Sequence, residues 1–349
     1  MLNPLFQYKI KAMKCLALVW CCLLLNACAE RPPQLVSLNG ETMGTTYMVK
    51  YLADIEQLES SKQMQAQLDS LLVDINQLMS TYIADSELSL LNQAPAGQAI
   101  KLSEETSFVL QEAIRLHGLS DGMLDITVGP LVNSWGFGPE AKPEKIPSAE
   151  QLRALSEYVG IDKFSFLNNE IIKHHQQVYI DLSTIAKGYA VDRIAQLLSD
   201  KGLNNYLVEI GGEMRLSGHK AIGQNWLIAI EKPVSGLRAI QRTVSIGNNA
   251  IASSGDYRNY YEEDGIRYSH LINPKTAYPI QHNLLSVSVV AHTCIEADGL
   301  ATALIVMGAE RGIALAEENG IAALFITKEG DEFVEYQSTA FREQVTLMP

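Results

Sequence analysis

From residue 36 onward, apolar runs with a two-residue period and apolar runs with a three-to-four-residue period follow one another without strict strand–helix–strand alternation. A doubly wound parallel sheet needs a helix after every strand, so the pattern argues instead for an α+β fold of mixed sheets flanked by helices. Residues 36–52 alternate as strand, broken at Met43-Gly44. Met64, Leu68, Leu71, Leu72, Ile75, Leu78 and Met79 share one helical face, and 108–116 give a second helix. Runs at 206–210, 226–230, 243–246 and 284–290 read as strands. Residues 178–182 read as a short strand leading into a helix through Ala190, Ile194, Leu197 and Leu198, and 298–307 as a helix. No linker, charge block or internal repeat divides the stretch, so residues 37–349 read as one domain.

The first 27 residues differ in kind. Lys9, Lys11 and Lys14 precede an apolar run over 15–25, and residues 1–27 hold no acid. That order is a secretory signal, too short for a comfortable membrane span. The run ends Leu25-Asn26-Ala27-Cys28, which resembles a bacterial lipobox with Cys28 as the lipidated first mature residue; an uncleaved anchor or a buried core segment is the bland alternative. Met13-Lys14 would itself open a signal. Residues 29–36, with Pro32-Pro33, read as a tether. The domain is therefore expected on the periplasmic side of a bacterial membrane, inner or outer, since Ala29 is not the Asp associated with inner-membrane retention. Of five cysteines only Cys294 is left for the folded domain, so neither an intrachain disulfide nor a cysteine metal site is available. A formal charge of −13 offers nucleic acid no basic face.

Two segments could carry chemistry. In Ile180-Asp181-Leu182-Ser183-Thr184-Ile185-Ala186-Lys187-Gly188, a strand gives way to a helix through small residues. Free amides and the positive dipole end gather at such a junction and suit a phosphate, with Lys187 adding a charge; a plain connection with a surface Lys is the competing reading, and no P-loop occurs. In Glu296-Ala297-Asp298-Gly299-Leu300-Ala301-Thr302, Asp298 and Thr302 share a helix face four residues apart. They offer hard oxygen ligands of the kind Mg²⁺ takes alongside water and phosphate, unless Asp298 is simply the helix N-cap. The Gly-rich turns around Asp121-Gly122, Gly136 to Pro139 and Gly211-Gly212-Glu213 read as structural. His270 sits beside a turn, where a general base and a structural histidine are both open readings. No serine-hydrolase elbow, penicillin-binding set or zinc motif is present.

Taken in order, Glu41 to Thr45, Ser80-Thr81-Tyr82 with Asp85 to Glu87, Asp121-Gly122 through Val128 to Asn133 and Trp135 to Pro139 resemble the FAD:protein FMN transferases (ApbE family). So do 181–190, 208–212, 254–258, 268–274 and 297–307. The resemblance runs across the whole chain after the signal. It implies a T-fold-like arrangement and Mg²⁺-dependent splitting of FAD at its pyrophosphate. FMN would pass to a Thr or Ser hydroxyl of a partner protein through a phosphoester, and AMP would leave. The implied partners are subunits of membrane redox complexes such as the Na⁺-translocating NADH:quinone reductase and its electron-transport relatives. By position, the metal falls to Asp298, Thr302 and the Thr184 carbonyl, and the phosphates to Lys187. Met43, Tyr82, Ser120, Asp121, Gly122, Asp181 and Ile272 fall on the flavin or adenosine site, and His270 is the candidate base. Asn273 and Ala277 depart from the family's Asp-Pro-x-Thr-Gly. A FAD pyrophosphatase releasing FMN and AMP, or a non-catalytic flavin-binding lipoprotein, are the alternatives.

Overall fold

The computed structural model describes residues 32–54, 57–58, 61–139, 145–221, 223–234, 239–257 and 259–348. The signal segment, Cys28, Ala29 and Arg258 lie outside the described residues. Eight strands make one antiparallel sheet whose spatial order follows the chain: β1 (Gln34–Thr42), β2 (Thr45–Ala53), β3 (Tyr206–Ile210), β4 (Glu213–Ser217), β5 (Ala250–Gly255), β6 (Leu284–Ala291), β7 (Ala322–Glu329) and β8 (Glu332–Gln337). Residues 34–36, read as the end of a tether, belong to β1, where Gln34 pairs with Ala53 and Val36 with Tyr51. Helices α1 (Ser61–Met79), α2 (Glu87–Gln93), α3 (Glu104–Leu119), α4 (Gly129–Ser134), α5 (Ala149–Ser156) and α6 (Ala186–Asp200) all lie between β2 and β3. Between β6 and β7 come α7 (Cys294–Met307) and α8 (Ala309–Glu318). The architecture thus repeats: two strands, helices, two strands, twice over.

Alternation along the strands puts two cores on the two faces of the sheet. Val208, Ala250, Ala252, Val289, Ala323 and Phe325 face the helices. Leu207, Ile251, Val290, Leu324 and Ile326 face a small sheet of Ile228–Glu231, Ile240–Ser245 and Thr346–Leu347, closed by Phe341. A third cluster, with Trp135, Tyr268, Ile272 and Ala277, sits under the 270–277 loop. Among the described residues no helix is long and apolar enough to cross a membrane.

Residues 178–182 are extended but pair in no sheet. Their backbone groups are taken elsewhere: Ile180 N–H donates to Asn92 Oδ1 at 2.7 Å, Asn92 Nδ2 donates to Ile180 O at 2.8 Å, and Asp181 N–H donates to Ile126 O at 2.7 Å. A side chain and a loop do the pairing that a neighbouring strand would have done.

Helix α7 begins four residues before the sequence suggested. Asp298 therefore lies in its second turn, and the N-cap position belongs to Thr293. The helix is buried on nearly every side, between the sheet and α3, α6 and α8, as its mostly apolar composition requires. Neither α6 nor α7 has a side-chain cap of its own. Each is capped by the other: Asp298 Oδ2 accepts from Gly188 N–H at 3.0 Å, and Asp192 accepts from Cys294 N–H at 2.9 Å and Ile295 N–H at 3.0 Å.

The two helices meet backbone to backbone at Gly188, where a Cβ would stand 2.5 Å from Cys294 O and 2.8 Å from Ile295 Cα. Alanine raises helix propensity by about 1 kcal/mol, but the clash is with backbone and cannot be relieved by a rotamer change. Gly188→Ala should therefore lose about 1–3 kcal/mol net, seen as a lower urea midpoint with an unchanged slope.

Candidate functional site

The first turns of α6 and α7 meet at this crossing, and each receives a carboxylate from the other helix. Lys187, in the first turn of α6, has its Nζ 2.6 Å from Glu213 Oε1 at the start of β4. Burial works against its charge, but Asp298 and Glu213 hold it protonated above the ordinary lysine range. Asp298 is 4% exposed. Burial pushes its carboxyl up to about 7, Lys187 and the Gly188 amide pull it down, and Glu213 and Asp192 add repulsion. Thr302, one turn on, has its hydroxyl 3.0 Å from Ser254 Oγ on β5.

Two buried oxygens here have no hydrogen-bond partner among the described residues: Thr184 Oγ1 and Glu213 Oε2. Buried orphan acceptors beside a buried carboxylate are what a cation would satisfy. Among the described residues no three His, Cys, Asp or Glu side chains gather to hold a metal. The donor set is one carboxylate with hydroxyl and carbonyl oxygens, which fits Mg²⁺ completed by water and phosphate rather than an all-protein cage.

His270 follows the ribbon Tyr260–Glu263/Ile266–Ser269. Its Nδ1 lies 2.9 Å from Asn259 O, and a carbonyl only accepts, so the proton of the neutral ring sits on Nδ1 and the Nε2 lone pair is free. Burial lowers its pKa below the ordinary 6.5, Asn259 raises it, and the Lys187 charge lowers it further. The 270–277 loop is tied to the turn after α3: Asp121 Oδ2 takes Lys275 Nζ and Arg311 Nη2, each at 2.7 Å. Ser120 is fully buried and accepts from Leu124 N–H at 3.0 Å, while Asp121 (φ 53°) and Gly122 (φ 78°) form the left-handed turn beside it. Asp121, Gly122, His117, Asp125, Val159 and Lys275 line an open cleft of about 430 Å³.

Tyr82 is 69% exposed, and partial desolvation and then the Asp181 charge raise its hydroxyl pKa. Ile272, within the loop, is buried in the cluster with Trp135 and Tyr268. Met43, at the tip of the β1–β2 hairpin, holds φ 50° ahead of Gly44 at 71°. Both left-handed positions are what a two-residue hairpin demands, and a methionine pays for the first. The loop's departures are absorbed differently. Asn273 Oδ1 accepts from Lys275 N–H at 2.9 Å, so it keeps the turn-making oxygen an Asp would supply and lacks only the charge. Ala277 does sit at φ 66°, pinned by Trp135 Nε1 donating to its carbonyl at 2.9 Å.

The structure therefore brings together Lys187, Asp298, Thr302 and Thr184 around one helix crossing, and Asp121 with the 270–277 loop. Sequence reasoning missed Glu213, Asp192 and Ser254. Asp192 had a legible signal, an acid on the buried Gly188, Val191, Ala195 stripe of α6; Glu213 looked like part of a turn.

Replacing Glu213 by Ala removes the ion-pair partner of Lys187 and leaves Asp298 as its remaining counter-charge. Because Lys187 is still 30% exposed, the loss should fall near 2 kcal/mol, below the usual cost of breaking a fully buried pair. Glu213→Gln should lose less, by chemical denaturation.

The ApbE family model matches residues 43–325. A FAD:protein FMN transferase of Vibrio cholerae is 50% identical over 320 residues, 92% of this chain and 96% of the relative. One of Haemophilus influenzae is 46% identical over 327 residues, 92% of this chain and 94% of the relative. The solved flavin transferase ApbE of Vibrio cholerae superposes with a TM-score of 0.82 at 48% identity, over 90% of this chain and all of that one. With its fold, its full-length relatives and its motifs in agreement, the chain belongs to the ApbE family of flavin transferases.

Proposed function

We propose that this protein transfers the FMN half of FAD to a Thr or Ser hydroxyl of a partner protein, with Mg²⁺, releasing AMP. The observation that carries the reading is the helix crossing. Lys187, in the first turn of α6, supplies positive potential for a pyrophosphate, and a buried Asp298 with orphaned neighbours asks for a cation.

Asp298, Thr302 and the Thr184 carbonyl would hold Mg²⁺, which when bound neutralises pyrophosphate charge and polarises phosphorus. Lys187 has two donors left after Glu213 and uses them on phosphate oxygens. Met43, Tyr82, Ser120, Asp121, Gly122, Asp181 and Ile272 bind and orient the flavin and adenosine ends. The acceptor hydroxyl oxygen forms a new bond to the FMN phosphorus as the bond from that phosphorus to the bridging oxygen breaks. AMP leaves with the electron pair, and the hydroxyl proton goes to His270 Nε2.

The acceptors on this reading are subunits of membrane redox complexes, such as the Na⁺-translocating NADH:quinone reductase and related electron-transport complexes. A lipid at Cys28 would hold the domain at the periplasmic face of the membrane where they sit.

The test is in-gel flavin fluorescence after incubation with FAD, Mg²⁺ and an acceptor fragment carrying Ser-Gly-Ala-Thr. A fluorescent acceptor band that disappears with EDTA and with Asp298→Ala is the expected result. A dark band with free FMN and AMP would identify a pyrophosphatase, and a dark band with intact FAD a binding protein.

His270 supplies a pH prediction. Its lowered pKa keeps it neutral through pH 7, so the transfer rate should stay flat there and fall only as pH drops below 6.5. Single-turnover rates of His270→Asn should be about 10²–10⁴-fold lower and lack that acid limb.

A further inference from the structure

Asp298 is the only carboxylate in the candidate metal set, and it is carried by a helix that does not cap itself. Asp192, on α6, supplies the cap: Oδ1 accepts from Cys294 N–H at 2.9 Å and Oδ2 from Ile295 N–H at 3.0 Å. Arg215 Nη1, on β4, donates to Oδ1 at 2.6 Å and seats the carboxylate against the sheet, where its side chain is 13% exposed. Cys294 lies one turn before Asp298. A two-oxygen grip on amides 294 and 295 therefore fixes both the height and the rotation of the turn that presents Asp298. In return, Asp298 Oδ2 takes Gly188 N–H, one turn before Asp192. Removing Asp192 leaves that single amide as the cross-helix tether of Asp298.

We infer that Asp192 is a positioning residue for Asp298, locking the first turn of α7 so that the Asp298 oxygen not bonded to Gly188 stays available to the cation. The inference rests on the Mg²⁺ reading above. Asn at 192 keeps the size and one acceptor, but turns an NH₂ toward an amide N–H, so one of the two grips is lost.

The test measures Mn²⁺ binding to the full chain without FAD, by electron paramagnetic resonance of the free ion. Melting temperature in EDTA is measured alongside. Asp192→Asn should weaken Mn²⁺ binding about tenfold or more. The Mg²⁺ concentration for half-maximal transfer should rise by a similar factor, with kcat recovering at saturating Mg²⁺ and KM for FAD unchanged there. Arg215→Met, which loosens the seat and leaves the cap, should shift Mn²⁺ binding in the same direction by about threefold, and it carries the test if Asp192→Asn does not fold. A lower melting temperature with Mn²⁺ affinity at the wild-type value in both variants would reduce Asp192 to a helix cap and overturn the inference. If the unaltered chain binds no Mn²⁺, or Asp298→Ala binds it as tightly, the metal reading fails first and takes this inference with it.

Discussion

Two helix N-termini are buried against each other, and neither brings its own cap. An amide left unbonded in such a place costs about 1–3 kcal/mol, so the crossing of α6 and α7 stands only because Asp192 and Asp298 each serve the other's first turn. The exchange requires close approach, which Gly188 permits by having no side chain to hold the backbones apart. Neither helix can settle without the other, and both rest on strands from different halves of the chain. The site is thereby assembled only when the whole sheet is.

The same packing decides the electrostatics. Dipole ends and Lys187 are positive, Asp298 and Glu213 are negative, and all of them are wholly or mostly withdrawn from water. Charges so placed interact far more strongly than on the surface. Burial, and after it the Lys187 charge, lower the His270 pKa, which favours the neutral form a proton acceptor needs.

Much of this was legible in the residues. Alternation located four of the eight main strands (β1, β2, β3 and β6), two strands of the small sheet and the Met43-Gly44 break, because half-buried strands must alternate; β4, β5, β7 and β8 went unread. Lys187, Asp298 and Thr302 stood out as polar groups in segments otherwise built for burial. What failed did so for physical reasons. Residues 178–182 have strand-like composition, but Asn92 and Ile126 take their backbone partners. Asp298 looked equally like an N-cap because helix starts are set by where backbone amides find acceptors, and α7 found its acceptor on Asp192, 102 residues away. Glu213 was invisible since only the fold brings β4 beside Lys187. The doubled architecture left no trace in sequence, as one set of helices occupies the long span between β2 and β3 and the other a short one between β6 and β7.

That doubling bears on how the two aspartates divide their labour. Asp192 stands four residues after Gly188, and Asp298 four residues after Cys294; each reaches across to the amide that begins the other's interval. They occupy the same seat in two copies of one plan. Arg215 and a second amide saturate the first copy, whereas the second spends one oxygen on a single amide and keeps the other in reserve. The repeated plan is thus one-sided through a single asymmetric arginine contact and one additional backbone bond: one carboxylate is taken up on both oxygens, and its counterpart is held by one amide.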